Sequence, residues 1–218
     1  MKKLLSILLL PLLFVSSCEE EESQSGYDCI SNTCSAVFES PQYLTLADCQ
    51  SICEDNIGGN INLEIGDVYG GGIVFYIDGT GQHGLIAALE NLEERFEWGC
   101  IGVSIQEPYN IVIGTGLQNT LDIVTECSES PIAASEALAY ESGGYSDWYL
   151  PSKLEFAEMW NTIGPGSVGG DIGGFGSFCR YWTSSEHTDN YAWSQADCGD
   201  WGYYTKSIEN EVRVIRAF

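Results

Sequence analysis

Nine cysteines divide this 218-residue chain into parts before any secondary structure is read. Cys18 closes an apolar run, Cys29, Cys34, Cys49 and Cys53 crowd into one short stretch, and Cys100, Cys127, Cys179 and Cys198 are spread along the rest. Setting Cys18 aside leaves an even number, which in an exported chain reads as four disulfides. Thr45 to Cys53 reads as a capped helical turn with Cys49 and Cys53 on one face. Parallel side chains at that spacing pair poorly with each other, so each is expected to reach back to Cys29 or Cys34. Export and the lack of histidine nearby disfavour zinc there. Residues 27–55 are therefore expected to form a small stapled module, with a linker over 56–65 that contains Asn56-Ile-Gly-Gly-Asn60.

Lys2 and Lys3 precede the apolar stretch Leu4 to Val15, too short to span a bilayer but suited to a signal peptide. Its end, Val15-Ser16-Ser17-Cys18, resembles a bacterial lipobox, which implies a signal over 1–17 and a lipid on Cys18. Glu19 to Glu22 follow within an acidic tether over 18–26; such a run resembles a surface-export signal, and it reads equally as a solvated spacer. The expected location is the bacterial outer membrane, lipid-anchored and surface-exposed, so that one partner is the membrane itself.

Charge excludes whole classes of ligand. Asp and Glu number 32 against 8 Lys and Arg, a formal net charge of −24. Beyond the signal the only basic residues are Arg95, Lys153, Arg180, Lys206, Arg213 and Arg216. A nucleic acid must be neutralised by many such groups, so it is excluded as a partner.

The remaining segment, 66–218, is long enough for one full hydrophobic core. Ile73 to Ile77, the turn Asp78 to His83, and Leu85 to Ala88 have hairpin chemistry, with Gly70 to Gly72 marking a bend before them. Ser130-Pro131 opens a helix over Ile132 to Glu141, with proline in its first turn and Gly143-Gly144 past its end. Ser152 and Glu155 have capping-box spacing for a second helix carrying Leu154, Ala157 and Trp160. Short strands follow a glycine-rich loop over 164–176: Tyr181 to Ser185, Tyr191 to Gln195, Trp201 to Thr205, and Val212 to Phe218, the last alternating with Val212, Val214, Arg216 and Phe218 on one side. Hairpin, helices and late antiparallel strands give an α+β domain, with the final strand free to pair with the first.

Gly66-Asp-x-Tyr-x-Gly-Gly-Ile-Val-Phe-Tyr, Ile113-Gly-Thr-Gly-x-x-Asn-Thr120, Gly144-Tyr-Ser-Asp-Trp-Tyr-Leu-Pro-Ser-Lys153, Tyr181-Trp-Thr-Ser-Ser-Glu186, Ala192-Trp193 and Val212-Arg-x-x-Arg-Ala-Phe218 resemble the Lcl C-terminal domain family (Lcl_C). That family is similar to C-type lectin-like domains and occurs at the ends of bacterial surface and adhesin proteins. The resemblance implies a C-type lectin-like fold over 66–218 and a surface-binding role, without a named ligand. With the early cysteines assigned to their own module, the late ones leave Cys100 with Cys127 and Cys179 with Cys198, alternative pairings between them staying open.

Chemical motifs are sparse. Ile111-Val-Ile-Gly114-Thr-Gly116 looks superficially like a strand entering a dinucleotide loop, but the third glycine is missing and no βαβ repeat follows, so no nucleotide is expected. Ser184-Ser185-Glu186-His187 lacks a nucleophile elbow, and neighbouring residues on a strand point apart. The chain is expected not to be an enzyme, and to need no cofactor unless calcium. Glu107-Pro-Tyr-Asn110 looks like a lectin calcium motif but carries an extra Tyr and precedes the helices. Glu186, Asp189, Asp197 and Asp200 are better placed for calcium, although a solvated acidic rim is the favoured reading.

The expected ligand surface comprises Glu186, His187, Asp189, Asn190, Tyr191, Trp193, Gln195, Trp201, Tyr203 and Tyr204, where aromatic rings and polar groups suit a saccharide or a protein. Alternation puts Tyr191, Trp193 and Gln195 on one face and turns Tyr204 away from Trp201 and Tyr203, so part of this set is expected to be buried. The function expected is non-enzymatic adhesion or glycan binding. The alternatives are a protein-recognition or display module with variable late strands and, less favoured, an enzyme acting on polysaccharide. Sulfated glycosaminoglycans fit badly against 22 acidic and 6 basic residues in 66–218.

Overall fold

The structure, a computed structural model, describes residues 62–105, 110–176, 180–195 and 200–218, together with the backbone of 26–30 and 33–37. The chain divides into two compact units, Met1–Gly59 and Asn60–Phe218. In the first, β1 (Gly26–Ile30) and β2 (Thr33–Val37) form an antiparallel hairpin whose register sets Cys29 opposite Cys34. Cys18, Cys49 and Cys53 lie outside the described residues, as do Cys179, Cys198 and Asp197.

The second unit is a mixed α+β domain built on two antiparallel sheets. The first has the order β11-β5-β4-β3, from β3 (Val68–Tyr69), β4 (Gly72–Ile77), β5 (Gly84–Ala88) and β11 (Ile215–Ala217). The second is β7-β8-β9, from β7 (Tyr181–Thr188), β8 (Tyr191–Gln195) and β9 (Trp201–Thr205). A short ribbon pairs β6 (Phe96–Glu97) with β10 (Glu209–Asn210). Three helices lie between the early and late strands: α1 (Gly116–Glu126), α2 (Ala133–Ala139) and α3 (Lys153–Thr162).

The first sheet is buried on both faces, which explains why its strands read as unbroken apolar runs. Val74, Ile86 and Ala88 pack with α1 and α2 residues such as Ile123, Ala133 and Ala137. On the opposite face Ile73, Phe75, Leu85 and Ala87 pack with Phe156, Met159, Trp160 and Ile163 of α3 and its end. The hairpin forms as expected, but the C-terminal strand pairs with β5, the second strand of that hairpin, and is shorter than the sequence alternation suggests. Ile215 is also bridged to Tyr149, so both sides of this segment are covered.

Polar side chains that meet in the interior tie distant segments of the domain together. The Arg216 guanidinium forks onto Asp147 at 2.7 and 2.9 Å and donates to the Gly70 carbonyl at 3.2 Å, tying together three segments distant in sequence. Arg213, 1 % exposed, donates to Asn91 Oδ1 and to the carbonyls of Ala88, Gly173 and Gly174, fastening the glycine-rich loop to the core. The indoles of Trp98 and Trp182 donate to Thr183 and Phe96 carbonyls at 2.9 Å each. Glycine is required at position 72, where a Cβ would lie 2.0 Å from the Ala87 carbonyl oxygen.

Helix α1 is absent from the sequence reading. Thr115 at its start donates its hydroxyl to the Val112 carbonyl instead of capping the helix. This end is served from elsewhere: the Glu155 carboxylate accepts from Gly114, just before the helix, and is hydrogen-bonded by the Gly116 backbone in its first turn. Residues 111–114 form a turn and not the strand that a dinucleotide loop needs. Helix α2 starts two residues after Pro131, with Ser135 Oγ accepting from the Ile132 N–H, so the proline precedes the helix instead of sitting in its first turn. Helix α3 begins as expected, its Ser152 and Glu155 forming a reciprocal capping box. Cys100 is joined to Cys127, which caps the end of α1.

Candidate functional site

The β7-β8-β9 sheet has one face committed to the core and another that emerges into solvent. Its register places Trp193 opposite Tyr203, Gln195 opposite Trp201, and Ala192 opposite Tyr204. Directly opposed residues share a face, so Tyr191, Trp193, Gln195, Trp201 and Tyr203 lie together and Tyr204 lies behind them. Tyr204 packs on the core that holds Ala192 and Trp182, with the Arg180 guanidinium 4.4 Å from its ring centroid. It is removed from the expected ligand surface for that reason.

Along the shared face, burial falls off from one end to the other. Tyr181 and Gln195 sit under α3, where Phe156 lies 5.4 Å from Tyr181 and 6.4 Å from Trp201, centroid to centroid. Trp193 and Trp201 are half-buried, whereas Tyr191 and Tyr203 are 42 % and 52 % exposed. His187 at the end of β7 stacks on Tyr203 with centroids 4.1 Å apart and meets Trp193 at 4.9 Å. Tyr191 and Trp193 approach Tyr203 edge to face at 5.7 and 5.9 Å. The result is a rigid aromatic cluster, because each ring is held by at least one other.

Two expected ligand residues are buried instead. Glu186 forms an ion pair with Lys206, which is fully buried, and accepts the Ile105 N–H at 3.1 and 3.2 Å. Lys206 in turn donates to the Val103 carbonyl and lies 4.5 Å from the Trp98 ring centroid. That carboxylate is spent on neutralising a buried ammonium, so it is unavailable to calcium or sugar. Gln195 is 2 % exposed, and its Oε1 makes no hydrogen bond among the described residues.

Asp189 and Asn190 stay exposed at the β7-β8 turn, where the Asn190 amide donates to Asp189 and the two backbone carbonyls accept from Gly102 and Lys206. Asp200 is exposed. Among the described residues Glu186, Asp189 and Asp200 are not gathered into a cation site; the one close group of metal-ligating types is Cys100, Cys127 and Glu129, whose two sulfurs are joined to each other. Ser184 and Ser185 are buried, with Ser184 Oγ accepting from the Asn119 amide and Ser185 Oγ donating to the Asn110 carbonyl.

Lys153 is the site residue that the sequence reading missed. Its Nζ stands 3.3 Å from the Trp193 ring centroid and 5.3 Å from that of Trp201. It is the first residue of α3, directly after the capping Ser152. Burial lowers its ammonium below the ordinary lysine pKa. A cation in the first turn opposes the helix dipole, and that misplacement is the sequence signal that could have found it.

No family model matches the chain, and no curated protein matches it. Among solved structures it is similar to a fimbrial protein from Bacteroides ovatus ATCC 8483, at 14 % identity and a TM-score of 0.49, over 70 % of this chain and 48 % of that one. The chain thus spans about half the length of that protein.

Proposed function

We propose that residues 66–218 are a non-enzymatic, lectin-like binding domain of the kind the Lcl_C motifs imply, held at the bacterial outer membrane by lipid on Cys18. The ligand face is the outer part of the β7-β8-β9 sheet, made of His187, Tyr191, Trp193, Trp201 and Tyr203. One observation carries this reading: four aromatic side chains on neighbouring strands, His187, Tyr191, Trp193 and Tyr203, are packed against one another, with Trp201 held by Phe156, yet the outermost remain open to solvent. Flat, pre-ordered rings lose little entropy on contact and suit the apolar faces of sugars. The short hairpin, the helices and the return of the C-terminal strand to β5 also support a lectin-like scaffold.

A glycan array with the full chain tests it, run with calcium and again with chelator. The expected result is saccharide binding that Tyr203→Ala and Trp193→Ala each reduce about tenfold or more while the near-UV circular dichroism of the buried tryptophans persists. Binding that survives both substitutions would remove the site assignment, and no binding in either condition would move the function to protein recognition.

A further inference from the structure

Lys153 is the least explained charge in the domain. Arg95 is paired with Glu211, Arg216 with Asp147 and Lys206 with Glu186, while Arg213 is enclosed by carbonyl and amide oxygens. Arg180 is exposed and lies on Tyr204, behind the aromatic face. Among the described residues Lys153 alone brings a cation onto that face, and no described carboxylate is paired with it although 66–218 holds 22 acidic residues.

The position works against this ammonium in two ways. It is partly desolvated, and it stands at the positive end of α3. The π-face of Trp193 offsets only part of that cost, since a cation–aromatic contact is weaker than an ion pair with a carboxylate. The N–H groups of the first turn of α3 cannot share the task of holding an anion. That of Lys153 donates to Ser185 Oγ, that of Leu154 to the Ile111 carbonyl, and that of Glu155 to Ser152 Oγ. Any anion recognition at this point therefore falls to Nζ.

Resting on the saccharide reading above, we infer that this face selects a sugar bearing a single carboxylate, such as a hexuronic acid residue, with Lys153 meeting the carboxylate and the Tyr203 and Tyr191 rings meeting the sugar. One cation on a strongly acidic domain favours one negative charge and disfavours a polyanion, whose further charges would be repelled.

The test uses the full chain, titrated calorimetrically with a disaccharide carrying one glucuronic acid residue and with the methyl ester of the same disaccharide. The ester keeps the shape and removes the charge. The acid is expected to bind at least about tenfold more tightly than the ester, in line with a charge-assisted hydrogen bond, and to lose that margin at high salt. Lys153→Met, which keeps an apolar chain on the tryptophans, should bring the acid-to-ester ratio to within about twofold, whereas Lys153→Arg should preserve a preference for the acid. Equal binding of acid and ester by the unaltered chain would overturn the inference and leave the saccharide face standing. No binding of either disaccharide, nor of any saccharide on the array, would overturn both.

Discussion

The Glu155 carboxylate accepts the backbone N–H of Gly114 at 2.8 Å, and its second oxygen accepts that of Ser152 at 2.6 Å. A single buried acid thereby serves the starts of two helices, α1 and α3. Gly116 leaves room for it, since a Cβ there would fall 2.2 Å from Glu155 Oε2 and 2.7 Å from the Leu150 carbonyl oxygen. Gly116→Ala is expected to destabilise the domain by about 1–3 kcal/mol in urea denaturation, as overpacking does where neither neighbour can retreat.

Two carboxylates give opposite pH dependence. Burial raises the Glu155 carboxyl above the ordinary glutamate value of 4.5, so the folded state holds its proton more tightly, and its contribution to stability grows as pH falls through the raised value towards 4.5. Arg216 lowers Asp147 below 3.8, so that contribution is complete above 3.8 and is lost as pH falls through the folded value. The difference in Tm between the unaltered chain and Asp147→Asn should hold steady above pH 3.8 and shrink below it. The difference against Glu155→Gln should widen in favour of the unaltered chain as pH is lowered towards 4.5.

Lys206→Met removes the cation paired with the buried Glu186 carboxylate. The expected loss is about 3–5 kcal/mol, the usual consequence of removing one partner of a buried ion pair. Lys206→Met combined with Glu186→Gln should cost clearly less than the two single changes added together, measured as a double-mutant cycle by chemical denaturation.

Gln195→Met should leave stability unchanged or raise it by about 1 kcal/mol, because the native side chain buries an oxygen that makes no hydrogen bond. Thermal unfolding reads the effect directly, and a marked loss of Tm would show that the amide has a partner in the folded protein.

The motifs that made the sequence look familiar turn out to hold one another. Asp147 and Arg216 pair across the fold, Asn119 donates to Ser184 Oγ, and Leu150 donates its N–H to Thr120 Oγ1. Residues that hold one another in this way serve the scaffold and carry no information about a ligand. Helix α1 escaped notice because its N-terminus is completed by Glu155, a residue from a distant segment, and because Leu117, Leu121 and Val124 lie on its exposed side, where an apolar stripe would ordinarily mark the core.

Local chemistry in the chain was enough to place the β4-β5 hairpin, the Ser152 capping box, the strands β7, β8 and β9 and the shared face of Tyr191, Trp193 and Gln195, because turn residues, caps and strand alternation act over a few residues. Whether a given polar residue on those strands meets solvent or a buried partner depends on what packs against it from elsewhere. Glu186 became half of a buried ion pair because Lys206 lies across the sheet, and Lys153 reached Trp193 because α3 starts beside β8. Those meetings join segments far apart in sequence, and only the tertiary structure decides them.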